Sequence, residues 1–395
     1  MLTKNIRLKG FGITKNKKKI ALQVSKKLNF YKKSRLINSF SENYRFDFNN
    51  NSVNKFKKYT NFNLIGMGGS SLGAKAIYNF MKPKIKKKFN FLDNLNSRNN
   101  NQKNKDQTVN IIISKSGNTL ETIANYSSLK QKNKNIFICE NTNNYIKNMA
   151  NKLNCLIINH KNYIGGRYSV LSEVGMLPAI FMGLKPKNFK NLNYLVKNKF
   201  FIKSLIDSVV STSYFIKKKK YNSIILNYDE LSKELFEWYQ QLVAESLGKN
   251  SKGILPVVSN MPRDNHSMMQ LYLDGPNDKL ISLVTCPATG TGTTIPGNLA
   301  QEAGMPEIGG RPIGDLLDAL SGSTADALQE AGRPVRIFQT ERLDEATLGA
   351  LMMHFILETL ITAGLWQINP FGQPAVETGK KLAKARLTEK SEDAA

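Results

Sequence analysis

The chain has 395 residues, of which 41% are apolar, and a formal net charge of +27. This length allows two domains with sizeable cores. Residues 1–270 hold 47 basic and 14 acidic residues, whereas residues 271–395 hold 10 basic and 16 acidic residues. The basic residues are scattered among asparagines and are not interleaved with aromatic side chains on one element, which argues against a nucleic-acid-binding protein. No uninterrupted apolar run is long enough to span a membrane, and the N-terminal residues lack a signal-peptide core.

The cysteine pattern indicates a reducing compartment. Cys139, Cys155 and Cys286 lie in apolar, strand-like surroundings, without a CxxC pair or a His-rich spacing. This pattern predicts reduced, buried thiols and offers no metal site. We therefore expect a cytoplasmic protein.

Residues 1–55 are expected to form a helical approach to a first sheet. Their helical spacing is carried by Ile20, Leu22, Val24 and Leu28. Strand-like and helical runs then alternate. The strand-like runs are residues 62–65, 89–92, 109–113, 135–139 and 155–158, and the helical runs are residues 72–81, 120–129 and 144–153. The alternation predicts a parallel, doubly wound α/β sheet, closed by a buried helix over residues 168–183.

A second alternating unit follows. Strand-like residues 221–226 and 253–258 flank a long helix over residues 230–247. Later strands are expected at residues 279–283 and 335–339, an apolar helix at 348–361 and a basic helix at 375–387. We predict two doubly wound parallel-sheet domains, residues 1–185 and 186–366, and a C-terminal helical arm, residues 367–395.

Two loops between a strand and a helix are rich in hydroxyl groups. The first, at residues 66–73, reads GMGGSSLG and includes Ser70. The second, at residues 114–122, reads SKSGNTLET. Free backbone N–H groups at a helix N-terminus bind anions, and such loops meet at the carboxyl edge of a parallel sheet. The first loop by itself fits either a phosphate site or a tight turn, but the two together favour a phosphate monoester. Neither is a nucleotide P-loop.

Four further residues are candidates for chemistry. Arg167 follows two glycines and is suited to binding phosphate or stabilising an oxyanion. Glu245 ends an apolar helix, where it can act as a general base. His266 lies in a loop and titrates in the useful range, and Lys380 lies in the last basic helix. Each of these also fits an ordinary surface or structural role.

Six motifs in order resemble the phosphoglucose isomerase family. They are GMGGSSLG, SKSGNTLET, GGRYSVLSEVG, AESLGK, DNHSMMQLYLDGP and QPAVETGKKLA, between residues 66 and 383. The resemblance covers nearly the whole chain and is closest to bacterial members. It implies two sugar-isomerase-type (SIS-type) domains in a homodimer. It also implies interconversion of glucose 6-phosphate and fructose 6-phosphate through an enediolate, in glycolysis and gluconeogenesis, without metal or organic cofactor.

The resemblance also implies the roles of particular residues. The implied phosphate-binding residues are Ser70, Ser114, Lys115, Ser116 and Thr119. Arg167 matches the arginine that stabilises the enediolate, and Glu245 matches the base that moves a proton between C1 and C2. His266 and Lys380 match the groups assigned to ring opening, and the histidine comes from the partner subunit.

Three alternatives differ from this assignment. A non-catalytic sugar-phosphate sensor would keep the two serine loops but would not need Glu245, His266 or Lys380. An isomerase that also accepts mannose 6-phosphate is compatible with the same motifs. A nucleic-acid-binding function rests on the net charge alone.

Overall fold

The structure is a computed structural model that describes residues 2–12, 17–97, 107–129 and 133–392. Within these residues the strands are β1 Ile6–Lys9, β2 Asn61–Ile65, β3 Lys88–Leu92, β4 Thr108–Ile113, β5 Lys134–Cys139, β6 Leu156–Asn159, β7 Asn222–Asn227, β8 Leu255–Asn260, β9 Lys279–Thr285 and β10 Val335–Thr340. The helices are α1 Lys17–Lys32, α2 Arg35–Asn38, α3 Asn50–Asn54, α4 Leu72–Phe80, α5 Leu120–Ser127, α6 Tyr145–Lys152, α7 Glu173–Phe181, α8 Pro186–Phe189, α9 Leu192–Leu195, α10 Lys199–Lys217, α11 Lys233–Leu247, α12 Met269–Leu273, α13 Gly297–Glu302, α14 Ile313–Glu330, α15 Glu345–Leu365 and α16 Val376–Glu392.

The first sheet is parallel throughout, in the order β3-β2-β4-β5-β6. Its central strand β4 is fully buried, as expected for a strand covered by helices on both faces. All five strands fall where the alternating pattern predicts them. The α/β class with parallel sheets is therefore confirmed for this half of the chain.

The second sheet has the order β1-β10-β9-β7-β8. Four of its strands are parallel, and β1 pairs antiparallel with β10, so that Ile6 lies opposite Thr340. No local sequence pattern predicts β1, and residues 1–55 were expected to be helical. A strand of four residues has too short a pattern to stand out, and its partner is more than 300 residues away in the chain. The N-terminal segment therefore adds an edge strand to the second sheet.

The two sheets share one hydrophobic core. A single cluster of buried side chains includes Leu64 and Ile111 from the first sheet and Ile225 and Phe338 from the second. Helix α4, which follows the first hydroxyl-rich loop, packs directly on α11 from the second unit. Because helices pack through their side chains at a separation of about 8–10 Å, this contact holds the loop before α4 close to the end of α11.

The predicted buried helix over residues 168–183 is divided in two. A 3₁₀ helix, Gly166–Leu171, comes first and α7 follows. Ser172 between them has extended backbone angles, which ends the first helix. A Cβ atom at Gly175 would overlap the carbonyl of Val170, so the glycine lets the two pieces pack tightly. The break places Arg167 in the 3₁₀ helix.

Helix α15 lies in the shared core. Among the described residues it alone has the length and mean hydropathy of a membrane span, although His354 and Glu358 interrupt its apolar run. In the protein, 89% of its most apolar stretch is buried. Such burial is typical of the central helix of a globular fold. In contrast, α16 is exposed along its described side chains.

A row of asparagines crosses the first sheet. Asn110 donates its amide N–H to Oδ1 of Asn135 and accepts from Nδ2 of Asn63, each at 2.9 Å. The exposed Asn90 reaches Asn63 over a longer 3.4 Å. Asn110 lies opposite Asn63 on one side and Asn135 on the other. A slip of one residue would break this row, so the buried amides help to fix the strand register.

We expect Asn110→Ala to lower the free energy of unfolding by about 2–4 kcal/mol, because it leaves one buried donor and one buried acceptor without partners. Equilibrium urea unfolding followed by circular dichroism measures the loss. Asn90→Ala is the matched control, since Asn90 is exposed and its bond is long. Equal losses for the two variants would show that the row does not stabilise the sheet.

Candidate active site

The centre of the site is an ion pair between Arg167 and Glu245. Arg167 lies in the 3₁₀ helix Gly166–Leu171, and Glu245 lies in the last turn of α11. Nη1 of Arg167 donates to Oε2 of Glu245 at 2.7 Å. The arginine side chain is 2% exposed and the glutamate side chain 29%. A buried cation therefore holds a carboxylate that remains open to solvent on one side.

Every N–H group of the Arg167 guanidinium has an acceptor. Nε donates to Oγ of Ser246 at 2.8 Å, and Nη1 also reaches Oε1 of Gln373 at 3.2 Å. Nη2 donates to the carbonyl oxygens of Pro370 and Gly372. The fork geometry of a guanidinium fixes its orientation when all five donors are used. Arg167 is thus a rigid cation.

Two aromatic residues hold the surroundings of Arg167 in place. Nε1 of Trp238 donates to the Arg167 backbone carbonyl at 3.1 Å. Tyr168 bonds both Oγ of Ser246 at 2.7 Å and the Pro370 carbonyl at 3.0 Å. Burial raises the pKa of Tyr168, although the Arg167 cation opposes the shift, so the phenol remains protonated and able to donate.

The second oxygen of Glu245 is held from its own helix. Oε1 accepts from Nε2 of Gln241, one turn earlier in α11, at 2.8 Å. Residues four apart on a helix face the same side, which explains the contact. The carboxylate therefore has one bond to each oxygen, and its orientation is fixed while its exposed side remains free to meet a substrate.

The first hydroxyl-rich loop contacts this pair through its glycines. A Cβ atom at Gly69 would overlap the carbonyl of Gly166, and one at Gly68 would lie 2.7 Å from Nε2 of Gln241. Gly68 also has a positive φ of 52°, which a residue with a side chain rarely adopts. Ser70 is half-buried, and its hydroxyl makes no hydrogen bond with the described residues. The loop backbone thus lies against Gly166 and Gln241, and within the described residues its Ser70 hydroxyl has no hydrogen-bond partner.

The second hydroxyl-rich loop lies beside the first. Their strands β2 and β4 are neighbours, and a Cβ atom at Gly66 would lie 2.9 Å from the carbonyl oxygen of Ile113. Ser114 is buried, and its Oγ accepts from the N–H of Gly117 at 3.1 Å and lies 2.8 Å from Oγ1 of Thr119. The hydroxyl groups of Ser114 and Thr119 therefore stabilise the conformation of this loop.

The side chains of Ser116 and Lys115 make contacts with different parts of the chain. Ser116 is exposed, and its Oγ accepts from the N–H of Asn118 at 3.3 Å. Nζ of Lys115 donates to the carbonyl of Asn162 at 2.8 Å and lies 3.5 Å from Glu140. The Lys115 ammonium therefore contacts residues that follow β5 and β6. Lys115 contributes only its backbone to the second loop.

His266 lies far from Glu245 within the chain. Helix α11 runs back along the sheet and ends near the start of β8, whereas His266 follows the end of β8, where its side chain is exposed. The two residues are therefore separated by the length of that strand, roughly 20 Å at 3.3 Å per residue. The described residues include no contact between them.

Lys380 is also outside the cluster. It lies on the exposed helix α16, where its Nζ is 2.7 Å from Oε1 of Glu377. The structure therefore brings together Arg167, Glu245 and the two loops, but it does not bring His266 or Lys380 to them.

Three residues of the cluster were not predicted as site residues. Gln241, Ser246 and Gln373 each bond Arg167 or Glu245. The spacing of four between Gln241 and Glu245 was a usable signal. Ser246 and Gln373 bond Arg167 across gaps of 79 and 206 residues, which no local pattern reveals.

Comparison with known sequences identifies close relatives. Residues 24–258 match the sequence profile described as phosphoglucose isomerase. A glucose-6-phosphate isomerase from Methanocaldococcus jannaschii is 31% identical over 356 residues, which cover 84% of this chain and 86% of that protein. A glucose-6-phosphate isomerase from Mycoplasmopsis synoviae is 30% identical, with 80% of each chain covered.

Solved structures share the fold of this chain. A hypothetical protein from Thermus thermophilus superposes with a TM-score of 0.81 at 25% identity, covering 93% of this chain and 95% of that one. A glucose-6-phosphate isomerase from Chlamydia trachomatis has the same fold, with a TM-score of 0.68 at 19% identity, covering 95% of this chain and 74% of that one. The sequence match and the shared fold agree, and the chain therefore belongs to the phosphoglucose isomerase family.

Proposed function

We propose that the chain is an aldose–ketose isomerase that interconverts glucose 6-phosphate and fructose 6-phosphate. Family membership supports this activity, since its curated relatives are named for it. The observation that carries the proposal is the Glu245 carboxylate, which Arg167 and Gln241 orient at an open face beside the two serine loops. The reaction needs one carboxylate at that place.

Glu245 acts as the base. Moving a proton between C1 and C2 of a sugar requires one group that takes the proton from one carbon and returns it to the next, on the same face of a planar enediolate. A carboxylate with both oxygens fixed by donors is already oriented for this step, so little ordering is needed when the substrate binds.

Arg167 stabilises the intermediate. As the proton leaves the carbon, negative charge develops on O1 and O2 of the sugar. A fixed cation in a buried setting lowers the energy of that charge without having to reorganise. Its own charge is balanced by Glu245 in the resting site, and the same contact restrains the base.

The two loops bind the substrate phosphate. We assign this role to the hydroxyls of Ser70, Ser114, Ser116 and Thr119 and to the backbone at Lys115. The free hydroxyl of Ser70 and the N-terminus of α5 support the assignment, because both offer donors to an anion. The phosphate is remote from C1 and C2, so its binding energy serves to orient the sugar.

Ring opening is assigned to His266 and Lys380, in a homodimer where His266 comes from the partner subunit. The position of His266 at the opposite edge of the second sheet from Glu245 supports supply across an interface. Lys380 is seven residues beyond Gln373, which already bonds Arg167. Docking of α16 onto the site would bring its ammonium within reach.

The setting of the enzyme is proposed to be the cytoplasm, with sugar phosphates as its small-molecule partners. The three cysteines are free, and burial raises the pKa of each thiol, which keeps them protonated. The described residues contain no group of acidic, histidine or cysteine side chains able to hold a metal ion.

We expect Glu245→Gln to lower kcat for fructose 6-phosphate by about 10³-fold or more, because an amide cannot take the proton. A coupled assay measures turnover, and calorimetry should show fructose 6-phosphate binding within about threefold of wild type, since the phosphate contacts remain. Glu237→Gln is the control, as Glu237 lies two turns earlier on α11 in a loose 3.8 Å pair with Lys75. If Glu245→Gln had the same turnover as the control, the assignment of Glu245 as the base would be wrong.

We expect Thr119→Ala and Ser114→Ala to raise KM about tenfold with a smaller change in kcat. Each removes one hydrogen bond to a phosphate that changes little along the reaction, which is worth about 1.4 kcal/mol. Ser128→Ala is the control, because the Ser128 hydroxyl bonds only the carbonyl of Asn125 after the end of α5. A fall in kcat alone would mean that the phosphate binds elsewhere.

We expect activity to return when inactive His266→Ala and Glu245→Gln chains are mixed and allowed to exchange subunits. A hybrid dimer has one site with both native residues, so random exchange should restore about a quarter of the wild-type activity. Each variant treated alone is the control. If activity does not return although native mass spectrometry detects hybrids, the sites are completed within one chain.

A further inference from the structure

A tight turn follows the helix that carries Glu245. Lys249 and Lys252 form an antiparallel bridge, with hydrogen bonds of 3.0 Å in both directions between their backbones. The two residues between them, Asn250 and Ser251, have φ values of 54° and 56°. Positive φ at both central positions is the mark of a type I′ turn, the most compact link between paired strands. The turn therefore presents its two lysines from a fixed backbone.

Lys249 holds the segment that binds Arg167. Its Nζ donates to the carbonyl oxygens of Asn369 and Phe371 at 2.8 Å and of Gly372 at 2.7 Å. An ammonium group has three N–H donors, so the bonds use all of them. We define residues 369–373 as the carbonyl segment.

The carbonyl segment is shared between Lys249 and Arg167. The Gly372 oxygen accepts from Lys249 and also from Nη2 of Arg167 at 3.1 Å. The Pro370 oxygen, between two carbonyls held by Lys249, accepts from the same Nη2. Gln373, which ends the segment, bonds Nη1 of Arg167. Any movement of the segment would therefore change the acceptors of three of the five Arg167 bonds.

The Lys249 ammonium also interacts electrostatically with Arg167 and Glu245. Burial and the Arg167 cation lower the pKa of Lys249, while the Glu245 carboxylate opposes the shift. Two cations and one carboxylate thus lie within interaction range. The backbone carbonyls between the cations carry partial negative charge and reduce their repulsion.

We propose that Lys249 is a positioning residue for the isomerase reaction: it fixes the carbonyl segment, which fixes the Arg167 guanidinium against Glu245 and the developing enediolate. The role rests on the proposed function, in which Arg167 and Glu245 carry the chemistry. Lys249 acts through Arg167 and is not assigned any contact with substrate.

Lys252 provides a matched control. It comes from the same turn, and its Nζ also donates to a backbone carbonyl, that of Trp366 at 3.0 Å. Trp366 lies before the carbonyl segment and gives no acceptor to Arg167. Replacing Lys252 removes the same charge from the same turn without touching the acceptors of Arg167.

We expect Lys249→Met to lower kcat about 10–100-fold with KM for fructose 6-phosphate within about threefold of wild type, because a displaced guanidinium weakens stabilisation of the enediolate and leaves the phosphate loops intact. Lys252→Met should keep both constants near wild type. Lys249→Arg should recover part of kcat, since a guanidinium can again donate to the carbonyls. Equal kcat in the two Met variants would overturn the proposal.

Two measurements test the role of Lys249 separately from the proposed isomerase activity. Amide hydrogen exchange in residues 369–373 needs no activity, and it should be faster in Lys249→Met than in Lys252→Met. Binding of a pentonate 5-phosphate, whose planar carboxylate imitates the enediolate oxygens, should weaken more in Lys249→Met than binding of sorbitol 6-phosphate. Unchanged exchange would overturn the role of Lys249 even in an active enzyme. An inactive wild type would instead overturn the proposed function.

If Lys249→Met does not fold, Lys249→Gln replaces it with the same expectations, because the shorter neutral side chain cannot reach three carbonyls at once. A Lys249→Gln enzyme with wild-type kcat and wild-type exchange in the carbonyl segment would overturn the proposal in that case.

Discussion

The buried guanidinium of Arg167 is the constraint on which the site depends. A charge that is only 2% exposed is stable in a protein interior only if each of its donors has an acceptor. Those acceptors come from the end of α11 and from residues 370–373. Three parts of the chain that are far apart in sequence must therefore meet at one point. Satisfying one cation also orients the Glu245 carboxylate, the proposed base.

Close backbone packing is the second condition. The loop before α4 lies against Gly166 and Gln241 because Gly68 and Gly69 have no side chains, and α4 packs on α11. The site thus lies between the two sheets, within a core that both sheets share. A rigid shared core keeps Glu245, Arg167 and the two hydroxyl-rich loops in one fixed arrangement. Such preorganisation is what lets an ion pair stabilise charge that appears only during reaction.

The site around Arg167 and Glu245 holds only some of the residues proposed for the reaction. Glu245, Arg167 and the two hydroxyl-rich loops lie together. In contrast, His266 lies at the other edge of the second sheet and Lys380 lies on an exposed helix. The assembled part matches the step that moves the proton between carbons. The separated part matches ring opening. For His266 the separation follows from topology, because a helix between two parallel strands ends at the sheet edge opposite the end of the next strand.

Local sequence patterns were enough to predict the order of the main strands and helices, the two hydroxyl-rich loops and the candidate residues Arg167 and Glu245. These features are local: strand and helix periods, glycines at turns and short motifs depend on neighbours in the chain. Long-range packing alone brings β1 into the second sheet and bonds Ser246 and Gln373 to Arg167. It also lets Lys249 hold the carbonyl oxygens of Asn369, Phe371 and Gly372. These contacts join residues 79 to more than 300 positions apart, and backbone carbonyls leave no trace in a sequence. Most of the fold was therefore readable from local patterns, whereas the arrangement that orients Glu245 arises from long-range packing around one buried charge.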